Sequence, residues 1–186
     1  MRIISGYLKG KKIILPLDKK TRPLRDMVKE SIFNIMKHSN KINCEIEDSK
    51  ILDLFSGCGS FGLECISRGA SKVYFNENYP EALKILKKNI NALSCEKKIS
   101  IIEKDCFQSI KGFKKFDDKF NIIFIDPPFK EKRLNYLLEL IIDNKILDND
   151  GVIIIHRHKN ENEEILKKFK ILDERDYGIS KIIFGN

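Results

Sequence analysis

Residues 53–62, Asp-Leu-Phe-Ser-Gly-Cys-Gly-Ser-Phe-Gly, carry an acid and three glycines directly behind a short apolar run. Gly57, Gly59 and Gly62 match G-x-G-x-x-G, and Glu77 follows 20 residues after Gly57. Glycines let the backbone turn tightly and approach a bound group, while an acid at the next strand end can hold ribose hydroxyls. That much fits a dinucleotide or another adenosine-containing cofactor. Asp53 discriminates between them. Four residues before the first glycine it would repel a pyrophosphate, whereas a cofactor with a positive amine and a sulfonium would welcome it. S-adenosylmethionine carries both, so the pattern favours methyl transfer over hydride transfer.

A second cluster, Asp126-Pro127-Pro128-Phe129, follows the apolar run 121–125. Prolines cannot donate hydrogen bonds, so the loop offers acceptors: the Asp126 carboxylate and the Pro127 carbonyl. An exocyclic amino group needs acceptors for its two hydrogens, and holding them turns the nitrogen lone pair towards an incoming methyl group. Phe129 adds an apolar face for base stacking, worth roughly 1–3 kcal/mol. The blander alternative is a stiff strand-to-helix turn with Phe129 in the core.

These residues need a scaffold that delivers them to one edge. Residues 51–55, 72–75, 99–102, 121–125 and 152–155 read as buried strands, with helices at 60–67, from Pro80 along Leu83, Leu86, Ile90 and Leu93, and at 134–143. Two closing strands, 168–172 and 179–184, are joined by so short a turn that they must be antiparallel. The expected fold is an open α/β sheet of seven strands, mostly parallel, with a C-terminal hairpin. Ahead of it, residues 1–20 read as a β-hairpin or extended arm. A helix is expected from Thr21-Arg22-Pro23 to about Lys37, with Pro23 in its first turn. The organisation is therefore an N-terminal extension (1–37), a connection (38–49) and a catalytic domain (50–186).

At 186 residues, with 42% hydrophobic and 33% charged, the chain is neither disordered nor membrane-embedded. No apolar run reaches the roughly 20 residues of a bilayer-spanning helix, and no secretory signal opens it, so a cytoplasmic location is expected. Five cysteines without C-x-x-C spacing and three histidines indicate neither disulfides nor a metal. The net charge is +8, and the first 25 residues hold eight basic side chains against Asp18 alone, which is +7 of it. Lys11, Lys12, Lys19, Lys20, Arg22 and Arg25 in this segment make the footprint of a polyanion such as nucleic acid, against the alternative of a solvated lysine-rich surface.

The Asp-Pro-Pro-Phe element behind an Asp-x-x-x-Gly-x-Gly turn resembles class I (Rossmann-like) S-adenosylmethionine-dependent amino-methyltransferases acting on nucleobases or on glutamine amide. The opening Met1-Arg2-Ile3-Ile4-Ser5-Gly6, the stretch 21–35, and residues 52–59 and 63–70 are similar to the bacterial RsmD family, which methylates guanine N2 in 16S ribosomal RNA. The resemblance covers nearly the whole chain. It implies that Asp53, Gly57 and Gly59 line the methionine side of S-adenosylmethionine, that Glu77 holds its ribose, and that Asp105 and Cys106 sit by the adenine. It implies that Asp126, Pro127 and Phe129 present the guanine and that Thr21, Arg22 and Pro23 belong to a substrate-side loop. The partner would be 16S rRNA in the small ribosomal subunit or its assembly intermediate, and the enzyme a monomer. Family members more often have Tyr at the position of Phe129 and an acid at that of His156, which reads here as structural or solvated. Rivals are a DNA adenine or protein-glutamine methyltransferase using the same loop, and a non-catalytic RNA-binding protein on this fold.

Overall fold

The computed structural model describes residues 1–18, 24–113, 119–128, 130–161 and 164–186. Strands β1 (Lys50–Leu54), β2 (Lys72–Asn76), β3 (Ile99–Ile102), β4 (Phe120–Ile125), β5 (Leu147–His158), β6 (Ile171–Tyr177) and β7 (Ser180–Gly185) form one sheet in the order β3-β2-β1-β4-β5-β7-β6. The five strands from β3 to β5 run parallel, and β7 is antiparallel to both β5 and β6. The expected sheet and hairpin are therefore present, with β7 slotted between its hairpin partner and β5. Strand order reverses between β1 and β4, and such a switch point opens a crevice at the carboxyl edge of a parallel sheet.

Both faces of the sheet are covered, which is why the central strands read as continuous apolar runs. On one face Ile51, Val73, Phe75, Ile122, Phe124 and Ile154 pack against α1 (Asp26–His38), α2 (Ser60–Ser67) and α3 (Pro80–Leu93). Phe61 of α2 stacks between Phe33 of α1, at 5.4 Å, and Phe124 of β4, at 4.0 Å. On the other face Leu52, Leu54, Ile123, Ile125 and Ile153 meet α4 (Cys106–Phe113) and α5 (Leu134–Asp143). No helix among the described residues is long and apolar enough to cross a membrane.

Several boundaries differ from expectation. The first helix starts at Asp26 behind Arg25, not at Thr21-Arg22-Pro23, which lie outside the described residues with Lys19 and Lys20. Asp26 there favours the positive end of the helix. β5 is 12 residues long rather than four, because Leu147 already pairs with Phe120 before a register shift. β6 begins at Ile171, after a turn in which Phe169 N–H donates to the Leu166 carbonyl at 2.9 Å. The arm makes a minimal hairpin, a single antiparallel bridge between Arg2 and Lys12, and buries Ile3, Leu8 and Ile13 in the α1–α3 core.

Candidate active site

β1 ends at Leu54, and Phe55 turns out of it with φ 58°, a left-handed conformation uncommon for a bulky residue and costly by about 1–2 kcal/mol. The chain then runs through Gly57 (φ 56°) and Gly59 (φ 83°) into α2. A side chain at Gly59 would collide with Leu86 and one at Gly62 with Phe75, so both glycines permit close packing of the turn as well as its shape. Asp53 is 1% exposed, and its carboxylate accepts from Gly62 N–H at 3.0 Å.

Glu77, just past β2, clamps this turn from the next strand. Its carboxylate accepts from Gly57 N–H at 2.8 Å and from the backbone N–H groups of Asn78 and Tyr79 at 2.9 and 2.8 Å. The neighbouring Asn76 donates to the carbonyls of Ile102 and Lys104, yet its Oδ1 is the one buried side-chain polar atom among the described residues that lacks a partner. Asn76, Glu77 and Asn78 line a small cleft with Phe55, Lys104, Asp105 and Cys106. Asp105 caps α4, its carboxylate accepting from Phe107 N–H at 2.9 Å, and burial pushes the Cys106 thiol up to about 12. The structure thus brings Gly57, Glu77, Asp105 and Cys106 to one edge.

Across the switch point, Asp126 leaves β4 one residue after Ile125, whose neighbour on β1 is Leu54. Its side chain is 21% exposed, with one oxygen 2.8 Å from His156 Nδ1. Pro127 and Pro128 continue outward, while Phe129 lies outside the described residues. Glu77 and Asp126 are each close enough to act on Asp53. Burial first, then the charges of Asp126 and Glu77, push the Asp53 carboxyl well above the usual carboxylate range, with the Gly62 hydrogen bond opposing. A positively charged group beside Asp53 would offset both effects.

That charge pattern fits S-adenosylmethionine, and Asn76, whose Oδ1 is buried without a partner, is one of the residues lining the cleft. A larger pocket of about 230 Å³ lies at the opposite edge, lined by Cys44, Glu47, Asp48, Ser49, Asn121 and Asp150. It faces the amino ends of β1 and β4, away from the edge where open α/β sheets bind ligands.

Two features of this edge, the strained Phe55 and Arg133, were not singled out in the sequence, and His156, expected to be structural or solvated, is bonded through both ring nitrogens. Arg133 pairs with Glu131 at 2.7 Å and lies 4.0 Å over the Phe107 ring, which stacks on Tyr136. The spacing Phe107, Ile110, Phe113 behind a capping Asp105 is the signal that would have shown α4, and with it this rim. Of the basic residues singled out, Lys11, Lys12 and Arg25 are exposed.

All of residues 1–186 match the family described as Conserved hypothetical protein 95 (Cons_hypoth95). The protein named "Putative rRNA methyltransferase YlbH" from Bacillus subtilis is 33% identical over 183 residues, 98% of this chain and 96% of its own length. "Ribosomal RNA small subunit methyltransferase D" of Haemophilus influenzae is 30% identical over 181 residues, 96% of this chain and 90% of that one. The solved structure of "Putative methyltransferase yhhF" from Escherichia coli has a TM-score of 0.81 at 25% identity, covering 100% of this chain and 96% of that chain. The fold is that of the class I S-adenosylmethionine-dependent methyltransferases.

Proposed function

Because this chain belongs to the Cons_hypoth95 family, we propose that it methylates the exocyclic N2 amine of a guanine in 16S rRNA of the small ribosomal subunit or its assembly intermediate. It is an S-adenosylmethionine-dependent methyltransferase. The names of the relatives that it matches over nearly their full length support an rRNA target. The observation that carries the reaction is the placement of Asp126. Its partly exposed carboxylate stands at the end of β4, across the switch point from the glycine turn.

Asp53 would hold the positive methionine end of the cofactor, Glu77 its ribose, and Phe55, Asp105 and Cys106 would flank its adenine. When bound, S-adenosylmethionine supplies a methyl group activated by a positive sulfur. The residues of this chain then have a positioning task. Asp126 and the Pro127 carbonyl accept the two amine hydrogens and turn the nitrogen lone pair towards the methyl group; the new N–C bond would form as the methyl–sulfur bond breaks, the sulfur leaving as a neutral thioether and the surplus proton of the nitrogen passing to solvent. Phe129 stacks on the base once it has left the RNA stack, a step costing a few kcal/mol. Positioning of this kind can supply roughly 7–11 kcal/mol of the barrier. The exposed Lys11, Lys12 and Arg25, together with Lys19, Lys20, Thr21, Arg22 and Pro23, would track the RNA backbone.

The test is transfer of labelled methyl to small subunits lacking the modification, with naked 16S rRNA and genomic DNA in parallel and nucleoside analysis of the product. N2-methylguanosine that disappears with Asp126→Ala, while RNA affinity stays within about threefold of wild type, is expected. Label in adenine of DNA would replace the base and the polymer while keeping the site. Wild-type turnover in Asp126→Ala would overturn the assignment.

A further inference from the structure

Strand register brings two more side chains to Asp126. Ile125 of β4 pairs with Ile155 of the parallel β5, so Asp126 and His156, each one residue further, emerge side by side on the same face. His156 pairs with Ile182 of β7, which puts Ser180, two residues earlier in β7, on that face as a diagonal neighbour. The side chains meet accordingly. His156 Nδ1 lies 2.8 Å from Asp126 Oδ1, and its Nε2 lies 2.9 Å from Ser180 Oγ. The ring is 13% exposed and Ser180 is buried, so this row of three is held within the sheet edge, not spread over the surface.

We propose that His156 is a positioning residue for the methyl transfer put forward above, on which this inference rests: its Nδ1–H fixes one oxygen of Asp126 so that the other faces the amine. A carboxylate can only accept, so Nδ1 must carry the hydrogen. Ser180 suits either charge state of the ring, donating its hydroxyl hydrogen to neutral Nε2 or accepting from a protonated one. The ring can therefore change charge and keep both hydrogen bonds. When neutral it leaves the negative charge of Asp126 to stabilise a nitrogen that turns positive as it gains the methyl group. As imidazolium it cancels that charge, and turnover falls.

Burial pulls the His156 ring towards neutrality, but the hydrogen bond and charge of Asp126, with Glu161 adding, hold its pKa above the ordinary 6.5. Asp126 reaches it from the end of β4 and Glu161 from beyond β5. Arg157 pairs with Glu161 at 2.9 Å. On β6, Arg175 and Tyr177 share the row through Ile182 and Ser180, and Arg175 is paired with Asp173 at 3.2 Å. Lys181 of β7 pairs with Glu174 at 2.9 Å.

The experiment measures kcat and the RNA KM across pH for the full chain with saturating cofactor. His156→Ala should lower kcat roughly tenfold or more, as removal of a hydrogen bond to a charged group does, while KM moves less than twofold. His156→Asn keeps a donor near the position of Nδ1 and should recover most of kcat. In wild type kcat should rise with pH through an apparent pKa above 6.5, and His156→Asn should remove that limb. Full activity in the alanine variant, or the same limb in His156→Asn, overturns the proposal. A second readout needs no turnover: NMR titration of the His156 ring, expected above 6.5 in wild type and lower in Asp126→Asn. An unchanged titration also overturns it. A wild-type protein that methylates none of the substrates defeats the reaction reading at the first assay, and the ring titration alone then decides whether the pair exists.

Discussion

Asp53 sits 1% exposed, with one backbone N–H for company and two further carboxylates nearby. Its folded pKa is raised above the unfolded value of about 3.9, so the stability linked to it is present below that value and is lost as pH rises through the folded pKa. Asp53→Asn keeps an acceptor for Gly62 N–H and removes the charge. Thermal melts at pH 7 should therefore show a higher Tm for the variant, by about 2–4 °C per kcal/mol relieved. The difference should shrink towards pH 4, while cofactor binding by calorimetry falls at least about tenfold, equivalent to roughly one charge-assisted hydrogen bond. An unchanged Tm would mean that the charge of Asp53 is already balanced in the free protein. The placement of Asp53, Glu77 and Asp126 at this edge was legible because each acid falls at or near the end of a short apolar run, Asp53 ahead of the glycine turn, Glu77 at the next strand end and Asp126 ahead of two prolines. His156 and Phe55 were not. The partners of His156 depend on the register of three strands that are distant in sequence, and a left-handed phenylalanine leaves no local signature.

Among the elements, α3 was legible from end to end, since Pro80 opens it and an apolar stripe runs its length. The eight-residue α4 was not, because its glycine and its short length mask the pattern around Phe107, Ile110 and Phe113. The docking of the N-terminal arm was equally hidden, because it depends on a buried acid in α2. Glu64, fully buried, accepts from the backbone N–H groups of Ile4 and Ser5 at 2.7 and 2.9 Å. It also receives Arg68 Nε at 2.8 Å and lies 3.7 Å from the buried Lys29 Nζ. Ser67 adds a bond from Leu8 N–H at 2.9 Å, and Gly6 passes so close to the Ser67 carbonyl that any side chain there would overlap it. Glu64→Ala leaves two amides without their acceptor and takes one carboxylate from the buried Lys29, which keeps the Arg2 carbonyl at 3.1 Å and Asp26 at 3.7 Å, and this should cost roughly 3–5 kcal/mol in urea unfolding. Hydrogen exchange at Ile4 and Ser5 should accelerate with it. A fall in stability without faster exchange at those amides would place the latch of the arm elsewhere.

Taken as a whole, the molecule concentrates its net positive charge on a piece of chain physically tied to the glycine turn. Asn89 of α3 makes the link, accepting from Ile14 N–H at 2.8 Å and donating to the carbonyls of both Ile14 and Cys58 at 3.0 Å. Lys11 and Lys12 thereby stand at a fixed distance from the turn between Gly57 and Gly59. A polyanion held by the arm is registered against the site rather than attracted to the surface at large. The uneven charge was legible in the sequence. Its registration was not, since that needs the fold of the arm onto α2 and α3. Replacing Lys11 and Lys12 together by Ala should reduce the slope of log K against log salt by about 0.7–0.9 for each phosphate that the arm no longer neutralises. It should weaken RNA binding at low salt and leave kcat at saturating RNA within about twofold, because neither side chain touches the reacting atoms. A salt slope equal to that of wild type would make the arm a structural strap over α2 and α3. RNA binding would then have to come from other cations at the carboxyl edge, with Arg133 on the rim of the cleft the first to exchange for Ala.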